Sequence, residues 1–163
     1  MKESMSATWE FQIIIIFILI FVAYLTVSVS YYKVFKAKND IVSIIERQEG
    51  LTTGPTKAVG IINNYLMGNA YNAKGSCQVG QYGVNDLDTK AQVIRVNSTS
   101  EKYYYCISKA VNLYEGGEIK SYTYRVKLFF SLNLPVIGDI IDFSADGTTM
   151  ELRVVADNLP VTE

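Results

Sequence analysis

Histidine is absent from all 163 residues, which removes the commonest general base and zinc ligand that a protein can carry. The two cysteines, Cys77 and Cys106, lack the spacing of a zinc pair. Two groups of acids offer oxygen ligands for a hard cation: Asp86 and Asp88 in Asn85-Asp86-Leu87-Asp88, and Asp139, Asp142 and Asp146. Neither group has the glycine and glutamate placement of a calcium loop, so both read as solvated loop acids. Asn97-Ser98-Thr99 has the pattern of a glycosylation sequon, which matters only in a glycosylating host. The run Tyr103-Tyr104-Tyr105 has the rings to stack on a sugar or a partner, but tyrosine is also a good strand residue, and the sheet reading comes first. No nucleophile and base can be paired, so neither catalysis nor a metal, cofactor or small-molecule substrate is expected.

One acid stands out by its position. In "EFQIIII", Glu10 lies directly against a run without any charge, Phe11 to Tyr32. These 22 residues form a helix of roughly 33 Å, a match for a hydrocarbon core of about 30 Å. A cleaved signal peptide usually has a shorter apolar region, a basic start and small residues at the cut. Here the head, residues 1–10, holds Lys2 against Glu3 and Glu10, and Tyr31-Tyr32-Lys33 makes a poor cleavage site. A retained transmembrane helix over residues 11–32 is the expectation.

The helical period continues past the span. Val34, Ala37, Ile41, Ile44 and Ile45 recur at three- and four-residue steps, which predicts one buried face on a helix extension, residues 33–50, that packs on a sheet. A single helix from Trp9 to Glu49 would be about 60 Å long, stopped at Gly50. A domain of residues 51–163 follows. In it Thr53 or Gly54 is expected to cap a short helix, with Pro55 at its first position, Gly68 at its end and Val59, Ile62 and Leu66 on one face. Residues 69–90 read as loop and Ala91 to Val96 as a strand.

The clearest pattern is "SYTYRVKLFFSLNL", where Tyr122, Tyr124, Val126, Leu128, Phe130, Leu132 and Leu134 alternate with polar neighbours, and only Phe129 departs. Tyr103, Tyr105, Ile107, Val111 and Leu113 alternate on the strand before it, which predicts a long hairpin. A turn at Asp146-Gly147 and a last strand carrying Met150, Leu152, Val154 and Ala156 complete an α+β fold with an antiparallel sheet.

Charge and cysteine content bear on location. Of 15 basic and 16 acidic residues, only Lys2, Glu3 and Glu10 precede Lys33, so the rest of the chain is neutral and nothing points to nucleic acid. Lys33, Lys36 and Lys38 follow the span and one lysine precedes it, a bias toward a cytoplasmic domain. The cysteines and the aromatic sheet argue for the outer side, and an extracytoplasmic domain is expected. A Cys77–Cys106 disulfide would close a loop of about 30 residues and stabilise the fold by about 3 to 4 kcal/mol. Two buried free thiols are the alternative.

The short head, Glu10-Phe11 opening the apolar helix, a helix longer than a bilayer needs and a sheet on its second half resemble the type IV pilin-like superfamily, most closely the pseudopilins of Tad-type systems. "LPVIGDIIDFSADGTT" is also similar to a segment of Gram-positive Tad-like proteins. The resemblance implies a membrane-anchored subunit of a filament, secretion or adhesion system. Glu10 and Phe11 would serve assembly, and the partners would be other pilin-like subunits and a membrane assembly platform. The family's processing glycine has no counterpart here, since Met5, Ser6, Ala7 and Thr8 occupy that stretch. A single-pass tethered module of a secretion or conjugation apparatus is the rival expectation.

Overall fold

A computed structural model describes residues 2–51, 54, 56–69, 71, 73–88, 90–113, 119–134 and 138–153. Its dominant element is one helix, α1 (Lys2–Arg47), 46 residues and roughly 69 Å long. It ends through hydrogen bonds from the Gln48 N–H to the Ile44 carbonyl and from the Gly50 N–H to the Ile45 carbonyl. A second helix, α2 (Ala58–Gly68), is followed by six antiparallel strands: β1 (Tyr82–Val84), β2 (Ile94–Arg95), β3 (Tyr105–Leu113), β4 (Ile119–Leu134), β5 (Gly138–Thr148) and β6 (Leu152–Arg153). The sheet order is β2-β1-β3-β4-β5, with β6 also beside β4. The fold is α+β.

The last third of α1 and one face of α2 cover one side of this sheet. Val34, Ala37, Ile41 and Ile45 of α1 are buried, and Ile44 is partly so. Val59, Ile62 and Leu66 of α2 are fully buried. Against them lie Tyr122, Tyr124, Val126 and Leu128 of β4, so alternation set the strand's register correctly over these positions. Phe130 is only half-buried, and the side chains of Leu132 and Leu134 lie outside the described residues. β3 and β4 form the expected hairpin, with Tyr105 opposite Leu128 and Val111 opposite Tyr122. Val111 is partly buried, but Leu113 at the far end of β3 is exposed. Lys109 fills the place that alternation left empty on β3: its stem is buried and its ammonium lies 3.8 Å over the Tyr122 ring.

Phe129 departs from alternation because the opposite face is covered too. Cys77, Val96, Tyr103, Cys106 and Phe129 form a second, smaller core there. Tyr103 thus lies across the sheet from Tyr105, not beside it. Among the described residues it forms an isolated bridge with Gly75, through two 2.8 Å backbone hydrogen bonds, before β3 begins. That break removes the phase on which the expected alternation depended.

Three other expectations need correction. α2 begins at Ala58, with no side-chain cap at Lys57, because the Lys57 N–H first closes a turn onto the Gly54 carbonyl. Thr53 and Pro55 lie outside the described residues. Of Ala91 to Val96 only Ile94–Arg95 is strand, paired with β1, which itself falls in the segment read as loop. Asp146-Gly147 is not a turn but lies within β5, where Lys127 opposes Asp146 and Val126 opposes Gly147.

Gly147 is needed there for close approach. A Cβ at this position would stand 2.9 Å from Cγ2 of Val42 and 3.0 Å from Cγ of Lys38, so β5 lies directly on α1. Gly147→Val is expected to push strand and helix apart and to destabilise the domain by about 1 to 3 kcal/mol, as overpacking does. Urea unfolding of the detergent-solubilised chain would measure it. After Thr148 the strand breaks and resumes as β6. Thr149 bridges the gap, its N–H donating to the Tyr124 carbonyl (2.9 Å) and its Oγ1 accepting from the Tyr124 N–H (3.0 Å). The Met150 N–H then donates to Oε1 of Glu46, which ties the sheet to the end of α1 (2.9 Å). Val154 and Ala156 lie outside the described residues.

Candidate functional site

α1 is two surfaces in one helix. Its end is core, whereas Trp9, Phe11, Ile13 to Val22, Tyr24 and Leu25 are all exposed, Phe11 at 66% and Phe17 at 69%. The stretch is long and apolar enough to cross a membrane, and none of its most apolar window is covered by the protein. The core helix of a soluble domain would be mostly buried. Glu10 is exposed at the head of this surface, with Phe11 beside it.

Where α1 passes from the exposed region to the core, aromatic side chains cluster. Tyr31 stacks on Phe35 (6.4 Å between centroids), Phe130 stacks on Phe143 across β4 and β5 (5.3 Å), and the Lys38 ammonium lies 4.2 Å over Phe35. Between α1 and these strands a cleft of about 400 Å³ opens, and a second of about 480 Å³ lies on the other flank of Phe130. Lys33 and Lys36 line the second.

Cys77 and Cys106 form a disulfide with Cα atoms 5.6 Å apart, buried in the second core. It ties the irregular segment after α2 to β3 and holds the cover over Phe129 in place. The acids of the 85–88 segment shape the backbone: Oδ1 of Asp86 accepts from the Asp88 N–H, and Oδ1 of Asp88 from the Lys90 N–H. No group of three or more metal-ligating side chains occurs among the described residues. Asp146 is exposed on β5, and the side chains of Asp139 and Asp142 lie outside the described residues. Asn97, Ser98 and Thr99 are exposed.

The three tyrosines divide among three settings. Tyr103 donates to Oε2 of Glu101 (2.6 Å), Tyr104 lies beneath the Lys74 ammonium (4.3 Å), and Tyr105 reaches through the main core to Oδ1 of Asn63 (2.8 Å). Asn63 is fully buried, and its Nδ2 donates to the Asp88 carbonyl (2.8 Å). One amide therefore joins α2, β3 and the loop between β1 and β2. Sequence periodicity gave no sign of it, since an asparagine beside a helix's apolar face usually faces solvent.

Burial pushes the Tyr105 and Tyr71 hydroxyls above the ordinary tyrosine range. Burial, then the hydrogen bond to Asp40, pushes Tyr65 up to about 12. Tyr103 is raised by its bond to Glu101 and then by burial. A phenol whose folded pKa exceeds its unfolded value keeps its proton longer in the native state, so the unfolded chain releases protons first as pH rises. Stability is expected to hold below about pH 10, the ordinary tyrosine value, and to fall as pH rises through about 12. Tyr65→Phe should flatten part of that decline in chemical unfolding at pH 8 to 12.

No family model, curated protein or solved structure matches this chain.

Proposed function

We propose that the chain is a membrane-anchored, pilin-like subunit, most like a minor pseudopilin of a Tad-type system, which assembles with similar subunits through its apolar helix. The observation that carries this reading is α1 itself: one unbroken helix whose last third is core of the sheet domain and whose earlier part exposes apolar side chains around its whole circumference. A helix so built can leave lipid and enter a bundle of its own kind without refolding, because lipid chains and packed helices both satisfy an apolar surface. The disulfide supports an extracytoplasmic domain, since such bonds persist in oxidising compartments. The domain then faces outward and carries partner contacts.

A second reading has one observation in its favour, the residues Met5-Ser6-Ala7-Thr8 where the family's processing glycine belongs. On that reading α1 only tethers an accessory module of a secretion or conjugation apparatus. Mass spectrometry of the N-terminus of membrane-extracted protein separates the two. Cleavage shortly before Glu10 is the expected result for a pilin-like subunit, and a chain that keeps Met1 favours the tether.

A further inference from the structure

We infer that the cleft beside Lys33 and Lys36 binds the head of a phospholipid that carries both a phosphate and a primary amine, the two lysines holding the phosphate and Asp40 the amine; this rests on the reading of α1 as a membrane anchor. The place of the cleft carries the inference. Its α1 wall begins at Ser30 and ends at Asp40, so it straddles Tyr32, where the uncharged run stops. From Tyr32 to Asp40 the helix rises about 12 Å, which takes the cleft from the edge of the hydrocarbon through a headgroup layer of about 5 to 8 Å. The other wall is Tyr65 and Asn69 of α2 with Tyr71 after it.

The charges stand in a definite order along this wall. Lys33, Lys36 and Asp40 are spaced by three and four residues, so they share one side of α1, with the cations nearer the span. Lys38 belongs to the other cleft, over Phe35. Lys33 and Lys36 are exposed, and neither ammonium has an acidic partner among the described residues. Asp40 is half-buried, and its Oδ2 accepts from the Tyr65 hydroxyl (2.7 Å), which holds the carboxylate against the wall formed by α2. An aminophospholipid head has the same order: its phosphate lies at the glycerol, next to the hydrocarbon, and its ammonium lies beyond. Lysines meet phosphate oxygens through charge-assisted hydrogen bonds, and the carboxylate meets the ammonium in the same way.

The surroundings discriminate between heads. Asp40 and the carbonyl end of α2 at Asn69 both present negative charge to the cleft, which disfavours a head with phosphate alone. A quaternary ammonium has no N–H to give to a carboxylate. Tyr71 lines the cleft, and its hydroxyl is buried without a hydrogen-bond partner among the described residues, a donor that a phosphate oxygen would satisfy. The volume, about 480 Å³, lies within the range of about 300 to 1,000 Å³ of small-molecule sites.

Native mass spectrometry tests this on the full chain, released from detergent micelles that hold equal amounts of phosphatidylethanolamine, phosphatidylglycerol and phosphatidylcholine. The expected result is a single retained phosphatidylethanolamine, in preference to the other two. Lys33→Gln combined with Lys36→Gln should lower that retention about tenfold, the worth of a charge-assisted hydrogen bond. Lys38→Gln removes the same charge from the other cleft and should leave retention unchanged. Asp40→Asn keeps an acceptor for Tyr65 and should abolish the preference for phosphatidylethanolamine over phosphatidylglycerol, an exchange of ligand that a damaged fold would not produce. Equal retention of the three lipids, or equal losses in Lys38→Gln and the double variant, overturns the inference in favour of lipid held around the span. Displacement by soluble glycerophosphoethanolamine at the lipid's own concentration overturns the membrane as the source of the ligand. Alkaline extraction of membranes tests the anchor separately. A chain that stays in the pellet without lipid selectivity keeps the anchor and loses this inference, and a chain released to the supernatant loses both.

Discussion

Replacing Leu128 by alanine is expected to destabilise the domain by about 2 to 5 kcal/mol, because a large aliphatic side chain is removed from a site with no access to solvent. Leu128 stands opposite Tyr105 on β3 and Ala145 on β5, and shares its core with Ile41 and Ile45 of α1. The loss therefore loosens the sheet and the helix together. Lys127→Ala, one residue earlier, removes a half-buried side chain whose ammonium lies 5.6 Å from the Phe129 ring, and should change stability by less than about 1 kcal/mol. Phe130→Ala should cost less than Leu128→Ala, since Phe130 borders the two open clefts. Urea unfolding of each variant in detergent, followed by near-UV circular dichroism, ranks the three. Equal tolerance of Leu128→Ala and Lys127→Ala would show that the faces of β4 are exchanged.

The same strand shows how far the sequence could be read. Alternation identifies the buried set of β4 from Tyr122 to Leu128, because a sheet face packed on helices admits few polar residues. It cannot report what covers the other face. Phe129 looked like an error in the pattern until the disulfide-bound segment was seen over it. β5 was missed for a related reason. Its two glycines and its acids are turn residues by local preference, but pairing with β4 along its length and the direct approach of α1 to Gly147 override that preference. The α1 extension was legible because its period is local, whereas the Asn63–Tyr105 bond joins residues 42 positions apart and leaves no periodic trace. Glu10 is the opposite case: in one chain it is simply exposed, and its place in the sequence, not its contacts, marks it out.

Glu10→Gln is expected to leave expression, membrane insertion and domain folding intact and to reduce co-assembly with filament partners sharply. Nothing within the domain depends on this side chain, which lies at the far end of α1 from the core formed by Ala37, Ile41 and Ile45. In a tether Glu10 sits among hydrated lipid headgroups, and an amide serves there as well. In an assembling subunit the helix head is drawn into an apolar bundle, where an unpaired carboxylate is costly and a neighbour's positively charged N-terminus relieves the cost. That pairing is available at one axial offset between subunits, so the acid would set their register, and glutamine, without charge, would lose it. Glu3→Gln removes an acid of the same type from the head without touching the Glu10-Phe11 pair, and should leave assembly unchanged. Crosslinking between subunits in intact membranes reads both variants. If Glu10→Gln crosslinks as well as the wild-type chain, the acid only marks the edge of the apolar run, and the tethered module becomes the better account of α1.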